Sequence, residues 1–345
     1  MNKDKIGICV IGAGRAGLIH ARSIARHVSQ ARLVALVDTQ RETVETSCRE
    51  LEVTRYYLDY RQALEDEDID AVAVVTPTVW HKEIAVASAK AGKHVFVEKP
   101  MAMNAVECDE MIGAAAENRV KLQVGFMRRF DESFMAAKEQ VDLGIIGRVV
   151  LVKSLTRGPS IPQQWQYDIS ASNGTLAEVN SHDIDTLRWL TASEFQELHA
   201  IAGNYRCPDA REDYPDFYDN VSLLARFDNN CQGIIDGAVS VGYGYDARVE
   251  ILGTKGVIFV GRTYQHSTVT CSSDSGLVRP FVKSWSSLFL DAYRAEEQDF
   301  VLSILEDREP RVTGLDGKRA VEVVTAGNLS IKERRPVLLH SSGRS

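Results

Sequence analysis

The chain has 345 residues, 44% apolar and 26% charged, with a formal net charge of -8. That length points to two domains, and the composition is that of a globular protein. The acid excess and the lack of a basic run argue against nucleic acid or an anionic membrane surface as partner, and no stretch of about 18 apolar residues exists to cross a bilayer.

The opening "MNKDKIGICVIGAG" runs into a strand-like segment with no charged-then-apolar leader, and the six cysteines show no CxxC pair. Both features lead to the expectation of a cytoplasmic protein with reduced thiols. "KIGICVIGAG" is the first predicted strand. "RAGLIHARSIARHV" follows, with Leu18, Ile19, Ile24 and Val28 at helical spacing. "ARLVALVD", "AVAVVTP", "KHVFVEKP" and "VKLQVGF" are further apolar runs separated by helix-like segments. Continuous rather than alternating apolar runs suit strands buried on both faces. The expected fold is therefore α/β, a doubly wound parallel sheet covered by helices.

The first turn reads Gly12-Ala13-Gly14-Arg15-Ala16-Gly17, a GxGxxG between a strand and a helix, and Asp38 closes the second strand about 20 residues on. Gly12 permits the tight turn, Gly14 lets a pyrophosphate approach the backbone, and Gly17 lets helix and strand pack closely. A carboxylate at Asp38 accepts both ribose hydroxyls of NAD and repels a 2′-phosphate, so NAD is expected over NADP. Arg41 stands nearby and softens that preference. Thr76, Pro77 and His81 follow the fourth strand, and Glu98, Lys99 and Pro100 end the fifth. Ligands of open parallel sheets sit beyond the carboxyl ends of strands, which assigns Thr76, Pro77, His81, Glu98 and Lys99 to the cofactor side. Lys99 falls where the nicotinamide end lies. Read alone, a lysine at a strand end is more often a solvated surface group.

After about Gly125 the pattern changes, giving a dinucleotide-binding domain over 1–124 and a substrate and oligomerisation domain over 125–345. "IGRVVLVKSL", "FQELHAIAGNY", "YDNVSLLARF", "CQGIIDGAVS", "ARVEILGTKGVIFV" and "TVTCSS" read as strands, with hairpin turns at "FDNNCQ" and "GTKG". An α+β domain with a large, mostly antiparallel open sheet is expected. "RGPSIPQQWQYD" is a Pro-punctuated loop whose Trp165 and Tyr167 either stack on a sugar ring or pin the loop. "WSSLFLDAYRAEEQDFVLSILEDREP" reads as one long amphipathic helix and "GLDGKRAVEVVTAGNLSIKERRPV" as a final one.

The segment "GTLAEVNSHDIDTLRWL" places Glu178, Asn180, His182, Asp183 and Asp185 among apolar residues. Glu178, His182 and Asp185 are spaced i, i+4, i+7, one face of a predicted helix over 178–190. Taken alone, His182 is also readable as a structural histidine, and Asp183 is read as structural. Glu178, His182 and Asp185 could also be metal ligands.

"AGKHVFVEKP", following the GxGxxG unit and "TPTVWH", resembles the Gfo/Idh/MocA oxidoreductase family. "GFMRRFD" (125–131) is most similar to its inositol dehydrogenase branch. The resemblance implies an NAD-dependent dehydrogenase that oxidises a ring secondary alcohol of a cyclitol or pyranose sugar. It implies an acid and a histidine four residues later facing the substrate, here Glu178 and His182. In that chemistry His182 takes the hydroxyl proton, Lys99 stabilises the developing alkoxide, and Glu178 orients His182. Met127, Arg128, Trp165, Asn180, His182 and Tyr243 are the expected substrate contacts. No metal is expected, and the family implies a homo-oligomer, dimer or tetramer. A keto-sugar reductase, a glycoside 3-dehydrogenase and a non-catalytic NAD-binding sensor are the alternatives. Two departures stand out. Glu178 replaces the Asp usual in the inositol branch, reaching roughly 1.5 Å further, and Asn173 replaces the first glycine of a Gly-Gly pair.

Overall fold

The computed structural model describes residues 5–339. The chain divides into two compact units. The first joins the stretch through Asp131 to Leu290–Val321, and the second joins Glu132–Phe289 to the stretch from Glu322.

The first unit holds six parallel strands, β1 (Ile6–Ile11), β2 (Ala31–Val37), β3 (Arg55–Tyr57), β4 (Ala71–Val74), β5 (His94–Glu98) and β6 (Leu122–Gly125). Their order is β3-β2-β1-β4-β5-β6. All six residues of β1 and all four of β4 are buried, as continuous apolar runs require when helices cover both faces. The helices are α1 (Arg15–Arg26), α2 (Arg41–Leu51), α3 (Tyr60–Leu64), α4 (His81–Lys90) and α5 (Ala105–Glu117). The strand order reverses between β1 and β4, with the strands still parallel, and their carboxyl ends form the switch point where such sheets take ligands.

The second unit is built on a seven-stranded sheet. Its strands are β7 (Val149–Arg157), β8 (Phe195–Gly203), β9 (Asn220–Phe227), β10 (Gln232–Ala238), β11 (Asp246–Gly253) and β12 (Val257–Val260). β13 (Thr270–Ser272) and β14 (Gly276–Val278) form a separate ribbon, and β15 (Val337–Leu338) completes the sheet at its edge. Among the described residues, only β7 and β10 pair in parallel, and the other pairs of this sheet are antiparallel. The hairpin turns fall where expected, between β9 and β10 and between β11 and β12. The helices of this half are α6 (Glu132–Asp142), α7 (Gln164–Tyr167), α8 (Ile169–Ser172), α9 (Gly174–Glu178), α10 (Ser181–Thr191) and α11 (Trp285–Leu288).

α12 (Leu290–Leu305) and α13 (Gly314–Glu333) complete the helices of the described residues. Three local expectations differ from what is observed. The long helix predicted from Trp285 is broken at Phe289. That ring is buried against Phe134 and Tyr245 in the second unit, while the chain joins the first unit from Leu290. The division at 124/125 differs accordingly, because α12 packs Phe300 and Val301 into the core beneath β1 and β5. The helix predicted over 178–190 is also interrupted. α9 stops at Glu178 and α10 starts at Ser181. Both Val179 and Asn180 N–H groups bond the Thr175 carbonyl, and the Ser181 hydroxyl takes the Ala177 carbonyl. Glu178 therefore does not share one continuous helical face with His182 and Asp185.

Candidate active site

The turn after β1 meets the needs of a dinucleotide glycine by glycine. Gly12 has φ +103°, and a Cβ there would stand 2.4 Å from the Val75 carbonyl oxygen. A Cβ on Gly17 would stand 1.8 Å from the Gly12 carbonyl oxygen. Gly14 is exposed, with open space where a side chain would be. It is the N-cap of α1, and no side chain caps the helix there. A helix N-terminus with no side-chain cap and with bare backbone at its N-cap suits an anionic ligand. Ala13 is buried, Ala16 is half-buried, and Arg15 is exposed in the first turn of α1. Asp38 accepts the Ala13 N–H at 2.9 Å through Oδ2 and the Gln40 N–H at 2.9 Å through Oδ1. Its carboxylate is thereby fixed beside the turn. Arg41 is held by the Tyr56 hydroxyl at 2.9 Å and by Glu45 at 3.3 Å. These residues fit NAD.

Beyond β4 and β5 the strand ends are laced together. The buried His81 ring sets Nδ1 2.8 Å from the Pro100 carbonyl oxygen and Nε2 2.8 Å from that of Thr76. Burial lowers its pKa, so the ring is neutral and donates to one of the two. His81 thus holds backbone, with Pro77 exposed beside it. Glu98 is buried, and its Oε2 accepts the Lys99 N–H at 2.9 Å. Lys99 is half-buried, and the Lys99–Pro100 bond is cis. Met127 and Arg128 lie in a short 3-10 turn after β6, each only 1% exposed.

In the second unit the polar cluster divides by role. Asp183 is fully buried and accepts from the Ser154 hydroxyl at 2.5 Å, the Thr156 hydroxyl at 3.0 Å and the Asn180 amide at 2.7 Å. It pins α10 to β7. Asn180 is fully buried too, pressed against Gly237, where a Cβ would stand 1.9 Å from the Asn180 Oδ1. His182 is 6% exposed in the first turn of α10. Glu178 is half-buried and accepts the Gln166 amide at 3.2 Å. Gln166, absent from the sequence reading, belongs to the Pro-punctuated loop. Of that loop's aromatic pair, Tyr167 packs on Phe217 with ring centroids 4.8 Å apart, which pins the loop. Trp165 is half-buried and donates to the Gln163 side chain. Tyr243 is 44% exposed, edge-on to Phe281. Asn173 takes the left-handed conformation a glycine would take there, at φ 58°, which asparagine tolerates. Among the described residues, no group of three His, Cys, Asp or Glu side chains is placed to hold a metal ion.

A GxGxxG turn with its acidic partner, on a parallel sheet that carries Glu-Lys-Pro at a neighbouring strand end, defines an oxidoreductase with a nicotinamide nucleotide site. The chain belongs to the Gfo/Idh/MocA oxidoreductase family. Residues 6–126 match its NAD-binding Rossmann fold and residues 138–339 its C-terminal alpha/beta domain. Family, fold class and NAD-binding domain are those the sequence led one to expect. Similar proteins include the scyllo-inositol 2-dehydrogenase (NAD(+)) of Bacillus subtilis, 33% identical over 98% of this chain and 97% of the relative. The myo-inositol 2-dehydrogenase of Thermotoga maritima is 32% identical over 96% and 98%. The scyllo-inositol dehydrogenase of Lactobacillus casei, solved with NAD(H) and scyllo-inositol bound, superposes with a TM-score of 0.88 at 28% identity, covering 97% of this chain and 99% of that one.

Proposed function

We propose that the chain oxidises a ring secondary alcohol of a cyclitol, an inositol first of all, to the ketone. NAD, when bound, supplies the hydride acceptor. His182 takes the proton of the substrate hydroxyl, Lys99 donates a hydrogen bond to the same oxygen and offsets its growing negative charge, and Glu178 orients the His182 ring. Met127, Arg128, Asn180, Trp165 and Tyr243 hold the remaining substrate atoms. The observation that carries this reading is the full-length likeness to inositol dehydrogenases in a chain that keeps both Lys99 and His182.

The test follows NADH formation with NAD against myo-, scyllo- and chiro-inositol, glucose, other aldopyranoses and simple glycosides, for wild type and Lys99→Ala. Turnover of an inositol that is lost in the variant is the expected result. Turnover of pyranoses or glycosides alone moves the substrate and keeps the mechanism. One observation favours that second reading: Glu178 is longer than the usual Asp and is engaged by Gln166. Silence there and with NADH and the corresponding ketones, with NAD still bound, overturns the enzyme in favour of a sensor.

A homo-oligomer, dimer or tetramer, is part of the same reading. Ile201, Leu224, Leu252 and Phe259 lie exposed on one face of the seven-stranded sheet. The lack of paired cysteine spacing supports a cytoplasmic setting, and no described helix is long and apolar enough to cross a membrane.

A further inference from the structure

Beneath Lys99 lies a buried charge cluster that the chemistry above does not use. His20 projects inward from α1 and is 1% exposed. Its Nε2 stands 2.9 Å from Glu98 Oε1 and its Nδ1 2.9 Å from Glu297 Oε1, on α12. The other Glu98 oxygen accepts the Lys99 N–H. Phe96 and Tyr293 close on the ring with centroids 5.2 and 5.3 Å away. Gly125 makes room for the Glu98 carboxylate, since a Cβ there would stand 3.1 Å from it. Glu296 is fully buried next door, and neither of its carboxylate oxygens has a hydrogen-bond partner among the described residues.

Two carboxylates facing both ring nitrogens call for a ring with two N–H groups, that is, an imidazolium. Burial opposes that charge, but the bonds to Glu297 and Glu98 outweigh it and raise the His20 pKa to about 10. Burial likewise pushes Glu98 upward, yet the bond and charge of His20 hold it below its usual range. Burial leaves Glu296 well above the ordinary carboxylate range and therefore neutral. The cationic ring is what lets Glu98 stay ionised with one oxygen committed to Lys99.

We propose that His20, Glu98 and Glu297 form a positioning relay that fixes the Lys99 main chain, with Glu297 holding His20, His20 holding Glu98, and Glu98 holding the Lys99 N–H. The catalytic half of this idea rests on the role given to Lys99 above. The positional half does not. His20 and Glu297 touch no substrate in this scheme; they act through Glu98.

The experiment compares wild type, His20→Gln, Glu98→Ala, Glu98→Gln and the His20→Gln/Glu98→Ala double variant, with NAD and an inositol. Fragment-resolved mass spectrometry reads amide hydrogen exchange at Lys99 and at Val10 in β1. In His20→Gln and Glu98→Ala, Lys99 exchange should rise and kcat should fall, each about tenfold or more, with the KM for NAD in His20→Gln within about twofold of wild type. The double variant should be no worse than the poorer single one, because both break the same chain. Glu98→Gln keeps the size and one oxygen acceptor, and should fall less far than Glu98→Ala. Lys99 exchange unchanged in His20→Gln overturns the relay. So does exchange rising equally at Val10, which marks general loosening, or losses that multiply in the double variant. If Glu98→Ala fails to fold, Glu98→Gln with His20→Gln decides by the same exchange readout. Lys99→Ala runs alongside: turnover retained there overturns the catalytic role of Lys99, and the exchange result still judges the relay.

Discussion

Asp38 holds the Gly-rich turn by accepting the Ala13 N–H, so its charge stands in a set place rather than on a loose side chain. A 2′-phosphate brought there meets that charge, while Arg41 is already taken by Glu45 and Tyr56. The kcat/KM for NAD should exceed that for NADP by about tenfold or more, and Asp38→Ser should narrow the ratio. Comparing the two cofactors at one substrate concentration checks this. Gly237 is a second residue set by its neighbour. Because a Cβ there would overlap the Asn180 amide, Gly237→Ala should cost about 2 kcal/mol of stability, read by urea unfolding. The glycines at 12, 14 and 17 were legible in the sequence because their work is done within one turn. Glu297 was not, since its partner His20 is 277 residues away and only the fold brings them together. Gln166 was missed for a milder version of the same reason, 12 residues from Glu178 in a loop with no periodic pattern.

At the scale of elements, the polar cluster shows where spacing arguments stop. Apolar periodicity located the helical segment, but not the break at Val179 and Asn180, where two backbone N–H groups share the Thr175 carbonyl and the Ser181 hydroxyl donates to that of Ala177. Asp183 is what docks α10 on β7. Asp183→Ala should strand the Ser154, Thr156 and Asn180 donors and destabilise the protein by about 2 kcal/mol or more in chemical denaturation. α1, β5 and α12 are joined differently, by the His20 imidazolium among Glu98, Glu296 and Glu297, with Phe96 and Tyr293 packed around it. Its pKa is about 10 in the folded protein, against about 6.5 for an unperturbed imidazole. A raised folded pKa means the folded state binds the proton more tightly. The His20 contribution is therefore complete below about pH 6.5 and is lost as pH rises through about 10. The stability difference between wild type and His20→Gln should shrink across that window, measured by unfolding at each pH.

For the whole molecule, composition and the alternation of strand and helix were enough to read a dinucleotide half and a second, sheet-rich half. The return of α12 to the first unit was not readable, because its apolar pattern marks a helix without naming the sheet it covers. The exposed face of the second sheet carries Phe259 at 73% and Ile201 at 68% exposure. Apolar groups of that size on one face mark an interaction surface, which supports the oligomer proposed above. Light scattering at micromolar concentration should give a multiple of the chain mass, and Phe259→Asp with Leu224→Arg should shift it toward the single chain. The discontinuous first unit has one more consequence, in the order in which the protein is made. Residues 132–289 lie between its two pieces, so 158 residues must be translated after Asp131 before α12 begins to emerge. At typical elongation rates that is roughly 8 to 30 seconds. Through that interval the nascent sheet has His20 and Glu98 but no Glu297, and lacks Phe300 and Val301 over its core. The nucleotide-binding half is thus completed only after residues 132–289 have been made, and a chain released before Leu290 should be a target for chaperones rather than a folded half-enzyme.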